Sequence, residues 1–337
     1  MESYVVSNLI TGALLVAAAV AAWSAVRSPL WLQAARQLWR RRSVSLAAVG
    51  LYVLIALLDS VAWLGGAEGV GVQRPRTLID RLFPADFQER SYSAPLATTE
   101  LYGGAPLRYP GRHLLGTDIL GRDVLRQALK GARVALLVGG LTTLIVIPIA
   151  LLFGVSAGYF GGRVDDAVFF LVSTLASMPG LLLLIALIMA LGRGTVQVCV
   201  ALGVTGWVGF CRVARGETLK LRELDYVQAA RALGASSSEI IRRHVLPNLA
   251  HLVVITFVLT FSGLVLSEAV LSWLGIGLEG SWGQMIDQAR DELARDPIIG
   301  WNLGAASVAL FGLILAVNLV GDGVRDILDP RTRRERG

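Results

Sequence analysis

The chain has 337 residues, of which 54% are hydrophobic and 17% charged. Its mean hydropathy of +0.62 excludes an ordinary soluble domain, because the apolar excess arrives in blocks near bilayer length. The net charge of +6 does not indicate nucleic acid, since the basic residues crowd the ends of apolar runs, as positive-inside topology requires. They fall at Arg36, Arg40, Arg41 and Arg42, at Arg212, Arg215, Arg242 and Arg243, and from Arg331 to Arg336.

In chain order, residues 5–26 are apolar enough to form a first span. Glu2 and the lack of a basic n-region argue against a cleaved signal peptide, and the charge that follows at Arg27 places the N-terminus outside. Leu30/Ala34/Leu38 and Trp31/Ala35/Trp39 then repeat at i, i+4 opposite Arg36 and Arg40. That pattern predicts an amphipathic helix at the inner interface, completing an N-terminal unit of residues 1–43.

A span at 44–65 runs outward, with Asp59 near its outer end, within reach of solvent or headgroups. Residues 66–130 form a polar, proline-containing outer segment (Pro75, Pro84, Pro95, Pro110). The core, 131–325, carries spans at about 134–157, 164–191, 196–214, 249–275 and 300–321, each long enough for the hydrocarbon layer. Alternation places 158–163, the loop 215–248 and the tail 326–337 inside, and 192–195 and 276–298 outside. The expectation is an all-α polytopic membrane protein with about seven transmembrane helices. Pro148 and Pro179 should kink their spans. A kink at Pro179, beside Gly180, has two open readings: it widens a central pathway, or it serves packing.

Residues 226–248 stand apart. Tyr226 to Leu233 are acceptable helix formers, Gly234 sits where a C′ residue with positive φ would end the helix, and Ser236 with Glu239 has capping-box spacing. Leu246-Pro247 is then expected to open the next span. A short polar helix exposed between two spans has nothing of its own to pack on, so it reads as a plug for another protein.

The missing chemistry agrees with a plug. Lys130 and Lys220 are the only lysines, followed by Gly131 and Leu221, so no P-loop exists and ATP hydrolysis by that route is excluded. Cys199 and Cys211 fit two small buried hydrophobes, and His113, His244 and His251 are scattered, so neither a disulfide framework nor a metal site is expected. Glu268 is the best candidate for ion coupling, but it lies in the outer half of its span. A structural hydrogen bond or a polar-cavity lining is the competing reading.

Several ordered motifs give the chain a resemblance to a family. They are His113-Leu-Leu-Gly116-Thr117-Asp118-Ile-Leu-Gly121-Arg122-Asp123, Gly158-Tyr-Phe-Gly-Gly-Arg-Val-Asp165, Ser267-Glu268-Ala-Val-Leu-Ser-Trp-Leu-Gly275 with Ser281-Trp-Gly283, and Gly321-Asp322-Gly-Val-Arg325-Asp326-Ile-Leu-Asp329-Pro330-Arg331. Over about 44–331 the chain resembles the C-type permease subunit of ABC importers for dipeptides, oligopeptides and nickel. The loop at 226–248 is similar to that family's EAA loop, carried here by Gln228, Ala229, Ala230 and Gly234, then Val245-Leu246-Pro247.

The resemblance implies the six-span type I importer permease fold, with the span at 5–26 as an addition. It implies a heterodimeric pore with a B-type permease subunit in a bacterial inner membrane, the C-terminus cytoplasmic. Two ABC ATPase subunits carrying ATP and Mg, and an external substrate-binding protein, would complete the assembly, with no cofactor in this chain. Tyr226, Gln228, Ala229, Ala230, Arg231, Gly234, Ala235, Leu246 and Pro247 would form the coupling contact. Arg231 would either add an ion pair at its rim or stay solvated. Pro179, Glu268 and Asp322 are candidates for the pathway or its support, and Gly116 to Asp123 for a motif of the outer segment. Peptides are the expected cargo, since no His/Cys/Met track lines the spans; nickel or another small solute is the alternative, and an ion-coupled carrier acting alone is a third. Gln228 departs from the family's usual Glu, and 291–300 departs from its proline–tryptophan pattern.

Overall fold

A computed structural model describes residues 12, 29–63, 76–84 and 87–328. The predicted first span at 5–26, the outward N-terminus and the closing Asp329-Pro330-Arg331 lie outside the described residues. Two compact units are present: one takes the chain up to Leu137 together with Val265–Val320, the other Val138–Leu264 and the chain from Gly321. Among the described residues, five helices are long and apolar enough to cross a membrane, and a bent helix pair makes a sixth if counted as one span.

In the first unit, α1 (Pro29–Ser60) joins the predicted amphipathic helix to the predicted span at 44–65. The join is marked by a non-helical Arg42 (φ −132°, ψ 34°). Strands β1 (Ala62–Trp63) and β2 (Arg76–Thr77) pair antiparallel, and Thr77 caps α2 (Leu78–Leu82) in a full capping box with Asp80. Helix α3 (Val124–Phe160) begins in this unit, which also holds α10 (Trp282–Leu293) and most of α11 (Trp301–Leu328). Tyr52 Oη donates to Ala309 O (2.9 Å), tying α1 to α11. Trp282 Nε1 donates to Ala128 O (2.8 Å), and its indole sits so close to Gly131 that a Cβ there would overlap Cδ1 and Nε1.

Asp59 corrects one expectation. It is buried rather than open to headgroups: it accepts from Thr77 Oγ1 (2.9 Å), with Lys130 Nζ at 3.6 Å and Arg133 Nη1 at 3.7 Å. A carboxylate at the end of an apolar helix needs such partners once it is removed from water. The cations that supply them stand more than seventy residues away in sequence.

In the second unit, α3 continues to Phe160 with Pro148 inside it. Helix α6 (Thr195–Arg222) packs closely on it at small residues. A Cβ on Gly154 would meet Cys211 O and Ala214, and one on Gly158 would meet Arg215 O and Thr218. Helices that cannot gain by hiding apolar area from lipid associate through this kind of close backbone approach. The predicted span at 164–191 is broken rather than kinked. Helices α4 (Gly162–Ser177) and α5 (Gly180–Leu191) meet at 91°. Pro179 supplies no N–H, and Met178 before it is extended (φ −87°, ψ 138°), so the helix stops instead of bending.

The α-helix of the next span opens at Leu246-Pro247, as expected, but it continues a helical run that starts upstream. The helical run begins at α8 (Ser237–Ile240), passes a π turn over Ile241–Val245 and continues as α9 (Leu246–Trp273). Leu246 N donates to Ile241 O, five residues back, and this wider turn carries the chain past a proline that cannot donate to the carbonyl four residues before it.

Candidate functional site

Helix α7 (Asp225–Ala232) follows α6 after only two residues. Leu224 is extended, and Asp225 lies in the first turn, where negative charge favours helix initiation. The helix ends in a Schellman motif: Gly234 has φ 86°, Gly234 N donates to Arg231 O (3.0 Å), and Ala235 N donates to Ala230 O (3.1 Å). Ser236 then accepts from Glu239 N (3.3 Å) to start α8, and Glu239 pairs with Arg243 (2.7 Å). The turn between the helices therefore has one defined shape.

One face of α7 is anchored. Val227 is fully buried with Val155, Tyr159, Leu221, Ile240, Val245 and Leu249, and Ala230 and Ala235 pack against the same cluster. Beneath it, Arg222 Nη1 donates to Gly158 O (3.1 Å), satisfying a carbonyl in the last turn of α3. Arg215 makes a bidentate pair with Asp165 (2.5 and 2.6 Å), joining α6 to α4. The ends of α3 and α6, the start of α4 and the whole of α7 are thus one connected block.

The other face is open. Tyr226 (44% exposed) and Leu233 (89%) lie on it, and Ala229 and Ala232 are exposed beside them. A leucine so exposed at the end of an eight-residue helix has lost the burial that normally stabilises it. Leu246 and Pro247 are exposed as well.

The predicted coupling residues therefore divide. Ala230 and Ala235 are half-buried against their own chain. Gln228 Nε2 donates to Arg222 O (2.9 Å), a local bond to the last turn of α6. Arg231 is exposed at the rim, and its guanidinium lies over the Tyr159 ring, 5.4 Å from the centroid. Leu233 is the residue that sequence reasoning missed. Its signal was a large aliphatic residue directly before the helix-ending glycine of a polar loop.

The motif at Gly116–Asp123 folds on itself ahead of α3. Asp118, fully buried, accepts from Leu120 N (2.9 Å), Arg122 N (2.8 Å), Arg122 Nε (2.8 Å) and Gln127 Nε2 (3.1 Å). Thr117 Oγ1 donates to Ser91 O and accepts from Ser93 N. Asp123 accepts from Arg126 N (2.8 Å) in the first turn of α3 and faces His113 Nδ1 (2.9 Å), whose Nε2 stands 3.3 Å from Glu89. Gly116 (φ 74°) has no room for a Cβ between Ser93 O and Trp301, whose Nε1 donates to Thr117 O (2.9 Å). Glu268 is buried where α9 ends, accepting from Ser272 Oγ (2.5 Å) and Leu278 N (3.4 Å), so it braces the turn that follows. Pro179 sits exposed at the break between α4 and α5, and Asp322 is exposed on α11. Among the described residues, no cluster of three or more His, Cys, Asp or Glu has metal-binding geometry.

Burial pushes the Asp80 carboxyl up, but its hydrogen bonds from Lys130, Arg126 and Thr77 N win and hold it well below the usual carboxylate range. Burial pushes His113 down, but its hydrogen bonds and charge contacts with Asp123 and Glu89 outweigh this and raise it above its ordinary value. A raised histidine contributes stability in full below its unfolded pKa, near 6.5, and loses it as pH rises through the higher folded value. Hydrogen-exchange protection of residues 87–123, corrected for intrinsic rates, should accordingly decline as pH rises above about 6.5 and through the raised folded value. His113→Gln should flatten that decline; the same slope in the variant would contradict the assignment.

A protein-family model described as binding-protein-dependent transport system inner membrane component matches residues 150–334. The chain is 37% identical over 225 residues to the dipeptide transport system permease protein DppC of Bacillus subtilis, covering 66% of this chain and 70% of the relative. It is 31% identical over 313 residues to the oligopeptide transport system permease protein OppC of the same organism, covering 90% and 91%. Identity to the glutathione transport system permease protein GsiD of Pectobacterium atrosepticum is 36% over 224 residues, covering 66% and 73%. Among solved structures, an inward-facing conformation of the MetNI methionine ABC transporter aligns with 61% of this chain and 96% of its own, at 21% identity and a TM-score of 0.48.

Proposed function

The chain belongs to the family of binding-protein-dependent transport system inner membrane components, and from that membership we propose that it is a permease subunit of an ATP-driven importer whose cargo is peptides. A B-type permease subunit completes the pathway, two ATPase subunits bind ATP and Mg, and an extracytoplasmic binding protein delivers the peptide. The α7 loop faces the cytoplasm, as does the C-terminus, and the segment before α3 faces outward with the N-terminus.

The observation that carries this reading is the two-faced α7. One side is bolted through Val227, Arg222 and Arg215 to the ends of membrane helices, and the other presents Leu233 and Tyr226. A helix held in this way transmits displacement, because its buried contacts leave it no independent freedom. A groove on an ATPase that takes up Leu233 can then drive α3, α4 and α6 without any nucleotide site in this chain. Peptide cargo is supported by the dipeptide, oligopeptide and glutathione permeases among the relatives.

Reconstitution tests the reading. Proteoliposomes holding both permeases and both ATPases should accumulate labelled peptide only with ATP at the ATPase side and binding protein at the other. Uptake by this chain alone, driven by an ion gradient without ATP, would contradict it.

A further inference from the structure

The segment ahead of α3 and the first turn of that helix line an open cavity of about 950 Å³ whose charged residues are Arg90, Arg108, Arg122, Arg126, Glu89 and Glu100. The two carboxylates are not equivalent. Glu89 is buried and committed, accepting from Arg108 N (2.9 Å) and Tyr109 N (2.8 Å) and facing His113. That leaves Glu100 as the acidic group to set against four guanidinium groups.

The arginines form two pairs. Arg122 is held by buried Asp118 and Arg126 by buried Asp80, each through Nε and Nη2. A guanidinium has five N–H donors, so each retains the two on Nη1 while its orientation is set by the anchoring carboxylate. Arg90 and Arg108 are exposed and form no ion pair among the described residues. Two pre-oriented guanidinium groups and two uncommitted ones thus line one concave surface, an arrangement suited to carboxylates.

Resting on the function proposed above, we propose that this cavity binds carboxylate side chains presented by the surface of the extracytoplasmic binding protein. A volume near 950 Å³ exceeds what one carboxylate fills and accommodates a protruding acidic loop. Every lining residue falls between Phe87 and Arg126, so the cavity is built by the segment before the spans and by the first turn of α3. That location favours a docking protein over cargo inside the pathway. Opposed surface charges chiefly steer association, which makes the contact salt-dependent.

The test uses the complete importer in lipid nanodiscs, titrated with its binding protein at several salt concentrations. An Arg90→Gln/Arg108→Gln double variant should weaken the affinity about ten-fold and flatten its salt dependence. Both side chains are exposed, so assembly and ATPase activity without binding protein should not change. Lysine at both positions should restore most of the affinity. Unchanged affinity and salt dependence in the glutamine variant, with the binding protein still stimulating ATPase, would overturn the cavity's role and leave the permease reading standing. Normal affinity combined with selective loss of uptake for peptides bearing a free C-terminal carboxylate, but not for amidated ones, would assign the site to cargo and overturn it too. Failure of the binding protein to engage even the unaltered importer would overturn both.

Discussion

Replacing Leu233 with Asp is expected to cut binding-protein-stimulated ATP hydrolysis and peptide uptake by at least about ten-fold, with the permease pair still folded. Leu233 touches little in its own chain, being 89% exposed, so its loss costs the isolated subunit almost nothing. Its value appears on docking, where burying a leucine is worth about 1.5–3 kcal/mol, or roughly ten- to a hundred-fold in affinity. An aspartate there adds the cost of desolvating a charge without a partner. Leu233→Met should retain most activity, since volume and apolarity are preserved. The contrasting substitution is Ala230→Glu, which drives a charge into the Val155–Tyr159–Leu221 cluster. That change should lower the thermal stability of the subunit itself, which Leu233→Asp should not. Full stimulated activity in the Leu233→Asp importer would remove α7's open face from the account.

Gly121→Ala should be the most disruptive single methyl in the segment ahead of α3, costing about 2–4 kcal/mol of local stability. Gly121 has φ 70°, and an added Cβ would lie on the backbone of Glu89, the same residue that faces His113 and accepts from Arg108 and Tyr109. A backbone cannot step aside as a flexible side chain can. Gly104→Ala is the matched control: its φ is 65°, but nothing lies within 4 Å of the added methyl. It should carry the conformational cost alone, about 1 kcal/mol. Hydrogen exchange over 87–123 reads both, with α7 as an internal reference that neither should disturb. Equal losses in the two variants would show that the approach to Glu89 does not matter.

The local chemistry of the loop around α7 was legible in sequence. Gly234 at a helix end and Ser236 three residues before Glu239 are short-range signals, and the backbone there depends on near neighbours. The facing of α7 was not legible. Which alanine is offered and which is hidden depends on how Val227 seats against Val155, Tyr159 and Leu221, and two of these come from α3, about seventy residues upstream. Asp59 read as solvent-exposed for the same reason, since Thr77, Lys130 and Arg133 are invisible to a hydropathy window. The prolines failed differently. At Pro179 the chain took a full break, whereas at Pro247 a π turn absorbed the missing donor, and both outcomes follow from one local rule whose resolution is set by packing. The motif at Gly116–Asp123 was visible as a string, but its role as a self-braced turn needed Ser91, Ser93 and Trp301 in place.

On the proposed function, energy enters this chain at the open face of α7. Site-specific crosslinking in the assembled importer tests it most directly, with single cysteines at Leu233, at Ala229 and, as a control, at exposed Leu114 in the segment ahead of α3. Native Cys199 and Cys211 are buried and should remain silent. Positions 233 and 229 should capture an ATPase subunit, with a yield altered by ATP binding, and position 114 should capture none. Capture from position 114, or none from position 233 in an importer that still couples hydrolysis to uptake, would contradict it.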